Sequence, residues 1–114
     1  MGDLLKREVY ELANYYNEIR PDGVPSDIIT RAPSAELAPD QKDEDSLPEY
    51  DKLDNAVSKL VTEAKAPRGD IEKWTLKALM RSEFKRWQAP PVLKVTSHAF
   101  GMGRRMPIAH KAIY

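Results

Sequence analysis

The chain contains no cysteine among its 114 residues. It therefore has no disulfide framework, no thiolate nucleophile and no cysteine-ligated metal site. A reducing cytoplasm is the simplest setting for such a chain, so we expect a cytoplasmic protein. Long hydrophobic runs are also missing: no stretch reaches the roughly 20 apolar residues of a membrane span, and the opening residues lack the apolar segment of a signal peptide. These absences predict a soluble protein with no membrane partner.

An excess of either charge sign is missing too, because 18 Lys and Arg residues balance 18 Asp and Glu residues. Zero net charge argues against a general nucleic-acid binder. The charges are unevenly spread, however: carboxylates gather between Glu36 and Asp51, and Glu83 is the only acid from Arg81 onward. The bases of that last stretch are Arg81, Lys85, Arg86, Lys94, Arg104, Arg105 and Lys111. They permit a local anion site, and they leave a small nucleic-acid binder as a weaker alternative.

A length of 114 residues, with 41% hydrophobic and 32% charged residues, is that of one small domain with a modest core.

Apolar residues at helical spacing define the first predicted helix. Asp3 is placed to cap the helix, and Pro21-Asp22-Gly23 ends it with turn-forming residues. The apolar stripe consists of Leu5, Val9, Leu12, Tyr16 and Ile19. This spacing by threes and fours predicts an amphipathic helix.

Two further helices are predicted in the second half. The second begins at Ser46, since Ser46 and Glu49 have the spacing of a capping box, and it ends at Ala66-Pro67-Arg68-Gly69. The third runs from about Asp70 to Gln88 and is apolar over a wide arc, so it is expected to pack against more than one neighbour. The fold class predicted from these patterns is mainly α, with about three helices and long loops.

The segment from Ile29 to Tyr50 is predicted to be mostly loop. It holds Pro33, Pro39 and Pro48 together with many carboxylates, and it is too poor in large apolar groups to order itself. A long loop of this kind is usually either a functional lid or a disordered link. One helical turn is predicted just before it, near residues 26–29, and a short β-like run is predicted at residues 92–96.

Single residues of chemical interest each have an ordinary structural explanation. Lys6 is by itself a surface lysine, Ser34 a turn serine, and Lys85 a cation that suits the C-terminal end of a helix. The acidic residues Asp40, Asp43, Glu44 and Asp45 lack the spacing of a calcium-binding loop, so metal binding by them is not predicted. His98 and His110 stand in no Ser/Asp context that would indicate catalysis.

Three motifs taken together change this picture. They are GDLLKREVYELA (Gly2 to Ala13), ITRAPSAELAPDQKDEDSLPEYDKLD (Ile29 to Asp54), and SEFKRWQAPPVLKV followed by AFGMGRR (Ser82 to Arg105). In this order and spacing they resemble the C-terminal part of glutamine-dependent NAD⁺ synthetases, and the likeness covers nearly the whole chain. The resemblance implies that residues 1–114 are a mainly α fragment of an α/β adenine-nucleotide-alpha-hydrolase-like synthetase domain, with residues 29–50 as an active-site lid.

The activity implied by the resemblance is that of an ATP-dependent amide ligase. Nicotinic acid adenine dinucleotide (deamido-NAD⁺) is adenylated on its carboxylate, and ammonia released from glutamine displaces AMP to give NAD⁺. Carried over by motif, Lys6 and Ser34 are implied as ATP contacts and Lys85 as a deamido-NAD⁺ contact. Phe84 stands where ammonia-only members of the family commonly have histidine, so an imidazole hydrogen bond is lost there. No residue of this chain is implied as catalytic or metal-binding.

Two family features are not found in the chain: the SGG-x-DS pyrophosphate loop and the glutamine amidase domain. We therefore expect a fragment that is inactive alone, with ATP and Mg²⁺ as cofactors of the full enzyme, none bound to the fragment, and a homo-oligomer formed through its apolar faces. The alternative from another class is a free-standing helical interaction module that binds protein partners through an acidic loop and a basic tail.

Overall fold

The computed structural model of the chain describes residues 2–97 and 106–109. These residues form five α-helices, a 3₁₀ turn and a π-helical turn, and they contain no β-strand. The helices are α1 (Lys6–Ile19), α2 (Ser26–Thr30), α3 (Tyr50–Val57), α4 (Asp70–Arg81) and α5 (Glu83–Gln88). The 3₁₀ turn is Asp43–Asp45, and the π-helical turn, Ser58–Thr62, continues α3. The mainly helical class predicted from the sequence is confirmed, as is the helical turn near residues 26–29.

Helix α1 begins differently from the prediction. Asp3 does not cap it; instead the Glu8 carboxylate accepts the Leu5 N–H at 2.7 Å, and Oδ2 of Asp54 on α3 accepts the Arg7 N–H at 2.8 Å. Both carboxylates satisfy N–H groups that the first turn of a helix leaves unpaired. Asp54 is 5% exposed, so α3 supplies α1 with a buried cap and holds the first turn of α1 in place.

The turn after α1 is closed by a side chain. The Asn17 amide donates to the Val24 carbonyl at 2.9 Å and accepts the Val24 N–H at 2.8 Å. Gly23 is required by space, because a Cβ there would lie 2.6 Å from the Tyr16 ring. The turn predicted at residues 21–23 is therefore present, and it returns the chain to α2.

Helix α3 starts four residues later than predicted. Ser46 does not cap a helix: its hydroxyl donates to the Asp43 carbonyl at 3.3 Å and closes the 3₁₀ turn. Pro48 disfavours helical backbone at Leu47, so a helix cannot run through this point, and α3 begins at Tyr50 with Glu49 as its N-cap residue. The predicted capping box at Ser46 is wrong for this reason.

The third predicted helix is in fact two helices. The chain turns at Ser82, where ψ is 12°, and α5 continues from Glu83. The Leu79 carbonyl is taken by side chains: the Ser82 hydroxyl donates to it at 3.2 Å and Nη2 of Arg86 at 3.0 Å. Because these donors replace the backbone N–H that a continuous helix would offer, the helix is interrupted.

The segment after α5 is extended and tied down by two buried carboxylates. Asp3 Oδ2 accepts the N–H groups of Val95 at 2.8 Å and Thr96 at 2.9 Å, and also the Thr96 hydroxyl at 3.1 Å. Glu83 Oε1 accepts the Met106 N–H at 2.9 Å. The β-like run at residues 92–96 forms no strand. The predicted features at His98, Gly101, Gly103, Arg104, Arg105, His110 and Lys111 lie outside the described residues.

The apolar core of the described residues is small. Ala56 and Val61 are its buried hydrophobic side chains, at 3% and 5% exposure. The stripe of α1 is left largely uncovered: Val9, Leu12, Tyr16 and Ile19 are between 39% and 60% exposed. No helix in the described part of the chain is long and apolar enough to cross a membrane.

Candidate functional site

A pocket of about 270 Å³ lies between the first turns of α1, the helix α2 and the loop that follows it. Its lining combines aliphatic, aromatic and charged side chains from residues far apart in the sequence. They are Lys6, Tyr10, Ile28, Arg31, Ala32, Pro33, Ser34, Glu36 and Asp43. The pocket therefore joins the first two of the three sequence motifs.

Lys6 is the first residue of α1 and is held between two aromatic rings. Its Nζ lies 5.4 Å from the centre of the Tyr10 ring and 5.7 Å from that of Tyr50, distances at which a cation is attracted to a ring face. Within residues 2–97 and 106–109, Lys6 makes no ion pair with a carboxylate. Its positive charge is thus positioned at the pocket and available to an anion.

Tyr50 connects α3 with the acidic loop. Its hydroxyl donates to Asp43 Oδ2 at 2.5 Å, and the Asp43 N–H donates to the Pro33 carbonyl at 2.9 Å. Burial, together with the hydrogen bond to Asp43 and the negative charge of that carboxylate, raises the pKa of Tyr50 well above its usual value. Tyr50 therefore remains a protonated donor at neutral pH, and Asp43 holds the 3₁₀ turn against the residues that precede Ser34.

Arg31, Ser34 and Glu36 form the other wall of the pocket. Nη2 of Arg31 is 2.5 Å from Oε1 of Glu36, and both side chains are more than half exposed. The Ser34 Oγ accepts the Glu36 N–H at 3.0 Å. Glu36 has a φ of 54°, in the left-handed region that residues with a Cβ rarely adopt. The side chains of Arg31 and Ser34 thus hold Glu36 in a strained turn at the pocket edge.

The arrangement is suited to binding an anion through a small number of groups. Two cations, Lys6 and Arg31, line the pocket with two carboxylates, Glu36 and Asp43, so the formal charge is balanced. The Ser34 hydroxyl accepts one hydrogen bond and keeps its own hydrogen for donation. In the described ranges, no group of three or more His, Cys, Asp or Glu side chains is arranged to hold a metal ion.

The structure does not bring together all three residues that the motifs imply as ligand contacts. Lys6 and Ser34 line the same pocket, whereas Lys85 is absent from its lining. Lys85 is exposed on α5, with its Nζ 5.9 Å from the centre of the Phe84 ring. The ligand contacts assigned to these three residues stay predictions.

Helix α5, which carries Lys85, is held by a buried carboxylate. Glu83 is 1% exposed and accepts hydrogen bonds from Nε of Arg86 at 2.7 Å and Nε1 of Trp87 at 3.1 Å, besides the Met106 N–H. Burial alone would raise the pKa of Glu83, but these donors and the Arg86 charge outweigh it and lower the pKa. Glu83 thus stays ionised and orients the helix from which Lys85 projects.

Sequence reasoning missed the aromatic and acidic groups around Lys6. Tyr10 stands four residues after Lys6, and Asp54 stands four residues after Tyr50, so each pair shares one face of a helix. That spacing predicts that the two members of each pair lie close together. No local pattern indicates that Tyr50 meets Lys6, since that contact depends on how α3 packs against α1. The pairing of Arg31 with Glu36 depends on the conformation of the turn between them.

Comparison with known proteins agrees with the motifs. Residues 1–89 match the family described as NAD synthase. The glutamine-dependent NAD(+) synthetase of Synechocystis is 44% identical over 117 residues, and that of Aquifex aeolicus is 40% identical over 117 residues; each match covers 96% of this chain. The chain spans 21% and 20% of the length of these two relatives.

A solved structure also resembles the chain. It is the glutamine-dependent NAD⁺ synthetase from Acinetobacter baumannii in complex with ADP, at 30% identity and a TM-score of 0.47, with 93% of this chain and 19% of that chain covered. The family match extends over more than half of the residues and includes the segments that carry Lys6, Ser34 and Lys85. The chain belongs to the NAD synthase family.

Proposed function

We propose that this chain is the C-terminal portion of a glutamine-dependent NAD⁺ synthetase, an ATP-dependent amide ligase that converts deamido-NAD⁺ to NAD⁺ through an acyl-adenylate. The observation that carries the proposal is the position of Lys6, which lies at the wall of the pocket that also contains Ser34 and forms no ion pair with a carboxylate within residues 2–97 and 106–109. Lys6 binds a phosphate group of ATP, and the Ser34 hydroxyl donates to the same nucleotide. The parent domain is α/β and adenine-nucleotide-hydrolase-like.

The chain contributes binding and enclosure rather than reacting groups. Residues 29–50 act as a lid that excludes water from the activated acyl group. The hydrogen bonds from Tyr50 to Asp43 and from Asp43 to Pro33 support this role, because they give the loop a defined position beside Lys6. Lys85 binds deamido-NAD⁺ from α5, at a separate place on the fragment. Phe84 offers the substrate packing rather than a hydrogen bond.

Among residues 2–97 and 106–109, no three His, Cys, Asp or Glu side chains are grouped to hold a metal ion, and we assign no Mg²⁺ ligand to this chain. The family implies that ammonia derived from glutamine is the nitrogen donor. From the composition and the exposed apolar faces we further propose that the protein is cytoplasmic, self-associates, and binds neither nucleic acid nor membrane.

The test compares NAD⁺ formation from deamido-NAD⁺, ATP and ammonia by this chain and by the full synthetase that contains it. We expect activity only in the full synthetase. There, Lys6→Ala raises the KM for ATP about tenfold or more, because a charged hydrogen bond to phosphate is lost. Lys85→Ala lowers NAD⁺ formation and leaves glutamine hydrolysis largely intact.

The control variant is Lys52→Ala, which removes an exposed lysine that is ion-paired with Glu49 outside the pocket. Unchanged ATP dependence in Lys6→Ala would remove Lys6 from the nucleotide site. Absence of NAD⁺ formation in the full protein would favour the free-standing interaction module, which binds protein partners through its acidic loop and basic tail.

A further inference from the structure

We propose that Arg31 is an additional anion-binding residue of the pocket and that Glu36 is its internal competitor, so that a phosphate group of the nucleotide binds by displacing the Glu36 carboxylate. This inference rests on the proposed function, because the anion is taken to be ATP. It assigns to Arg31 and Glu36 roles in admitting ATP.

The first step of the argument is that Arg31 already binds an oxyanion inside the pocket lining. Its Nη2 lies 2.5 Å from Oε1 of Glu36, and both residues line the pocket with Lys6 and Ser34. A guanidinium presents a planar set of donors that matches a carboxylate or a phosphate equally well. The Glu36 carboxylate therefore occupies a position that a phosphate group can take.

The second step is that Glu36 is held by the same groups that would bind the nucleotide. Arg31 binds its carboxylate, and the Ser34 Oγ accepts its N–H at 3.0 Å. The backbone of Glu36 is at a φ of 54°, which is unfavourable for a residue with a Cβ. When a phosphate engages Arg31, the ion pair that restrains the Glu36 carboxylate is released, and the turn can relax to a more favourable backbone conformation.

The third step is electrostatic. The Arg31 and Glu36 side chains are 72% and 66% exposed, and ion pairs between exposed side chains are weak. Replacing the Glu36 carboxylate by a phosphate as the partner of Arg31 therefore costs little free energy. The charges lining the pocket sum to zero while Glu36 remains there. Displacement of Glu36 leaves Lys6 and Arg31 opposed only by Asp43, whose carboxylate is engaged by the Tyr50 hydroxyl. The pocket then carries the positive charge that a phosphate requires.

The test measures the KM for ATP in the full synthetase, with ammonia as the nitrogen donor, for four proteins: wild type, Glu36→Gln, Arg31→Ala and the double variant. Glu36→Gln removes the competing charge, so we expect its KM for ATP to fall about threefold. Arg31→Ala should raise it about tenfold. The double variant should match Arg31→Ala, because no guanidinium remains to be freed. The changes should fall on KM more than on kcat.

Glu63→Gln is the matched control, since it removes the same charge from another exposed ion pair, with Lys65, outside the pocket. It should leave the KM for ATP unchanged. A fall in KM for Glu36→Gln that persists in the Arg31→Ala background, or that Glu63→Gln reproduces, would overturn the proposal in favour of a general charge effect. An unchanged KM in Glu36→Gln, in an enzyme whose ATP dependence still requires Lys6, would overturn this inference alone. Loss of the Lys6 requirement would instead overturn the proposed function.

Discussion

Tyr50 and Asp54 organise the Lys6 pocket from a single face of α3. The Tyr50 ring lies against Lys6, and Asp54 caps the turn of α1 from which Lys6 projects. The hydroxyl of Tyr50 also reaches Asp43 in the loop. Each of these contacts joins parts of the chain that are separate in sequence. The position of Lys6, the proposed phosphate ligand, is consequently decided by residues that have no ligand contact in the proposed mechanism.

Glu72 is the residue whose charge state is most directly testable. Its carboxylate accepts Nζ of Lys59 at 2.8 Å and the N–H groups of Arg68 at 2.7 Å and Gly69 at 3.3 Å. These contacts, led by the Lys59 hydrogen bond, lower the pKa of Glu72 to about 2. The ionised carboxylate thus joins the π-helical turn to the start of α4.

The pH dependence of this contact has a defined sign. The pKa of Glu72 in the folded chain lies below the roughly 4.3 of an unfolded glutamate, so its stabilisation is complete above that pH and is lost as pH falls through about 2. NMR titration of the Arg68 amide should show a midpoint near pH 2, and Glu72→Gln should abolish it. A midpoint near 4.3 would contradict the assigned contacts.

At the scale of elements, side chains decide where helices begin and break. The loop before α3 ends in a 3₁₀ turn because the Ser46 hydroxyl bonds back to Asp43 and Pro48 disfavours helix at Leu47. Helices α4 and α5 separate because the Leu79 carbonyl is taken by side-chain donors. Periodicity predicted both helical regions correctly, but their boundaries depend on these individual hydrogen bonds.

The start of α3 can be tested with Ser46→Ala. Because Ser46 does not cap the helix, we expect the free energy of unfolding to change by less than about 0.5 kcal/mol. Loss of a true N-cap costs typically about 1 kcal/mol. The measurement is urea unfolding followed by circular dichroism. Asp54→Ala is the positive control, since it removes the buried cap of α1. A loss of about 1 kcal/mol in Ser46→Ala would restore the predicted capping box.

At the scale of the whole molecule, the described residues bury little apolar surface. Ala56 and Val61 are the buried hydrophobic residues, whereas large side chains of α1, α2 and α5 remain accessible. Contiguous exposed apolar surface usually marks an interface. In a chain that spans about a fifth of its relatives' length, such surface is available for packing against other protein.

The α1 stripe therefore leads us to expect that the isolated chain self-associates. Sedimentation velocity should show a sedimentation coefficient that rises with concentration. The double variant Leu12→Lys with Ile19→Lys should remain monomeric, because two charges are placed in the stripe. Glu18→Lys, on the same helix and at a position that is already charged, should associate like the wild type. A monomeric wild type over the whole concentration range would contradict this expectation.

The sequence by itself determined the features that depend on local spacing and on residue identity. Apolar periodicity predicted three helical regions, proline and glycine predicted the turns, and the motifs around Lys6, Ser34 and Lys85 indicated the family that the comparisons confirm. Each of these signals is read from neighbouring residues or from the order of motifs along the chain, so no knowledge of tertiary contacts is needed to recognise them.

Only the tertiary structure decided how those features meet. Asp54 caps α1 from 47 residues away, and Asp3 holds Val95 from 92 residues away. The placement of Lys6 against the Tyr50 ring likewise arises where α3 packs against α1. A carboxylate or an aromatic ring has many potential partners in the sequence, and folding selects one of them through burial and hydrogen-bond geometry.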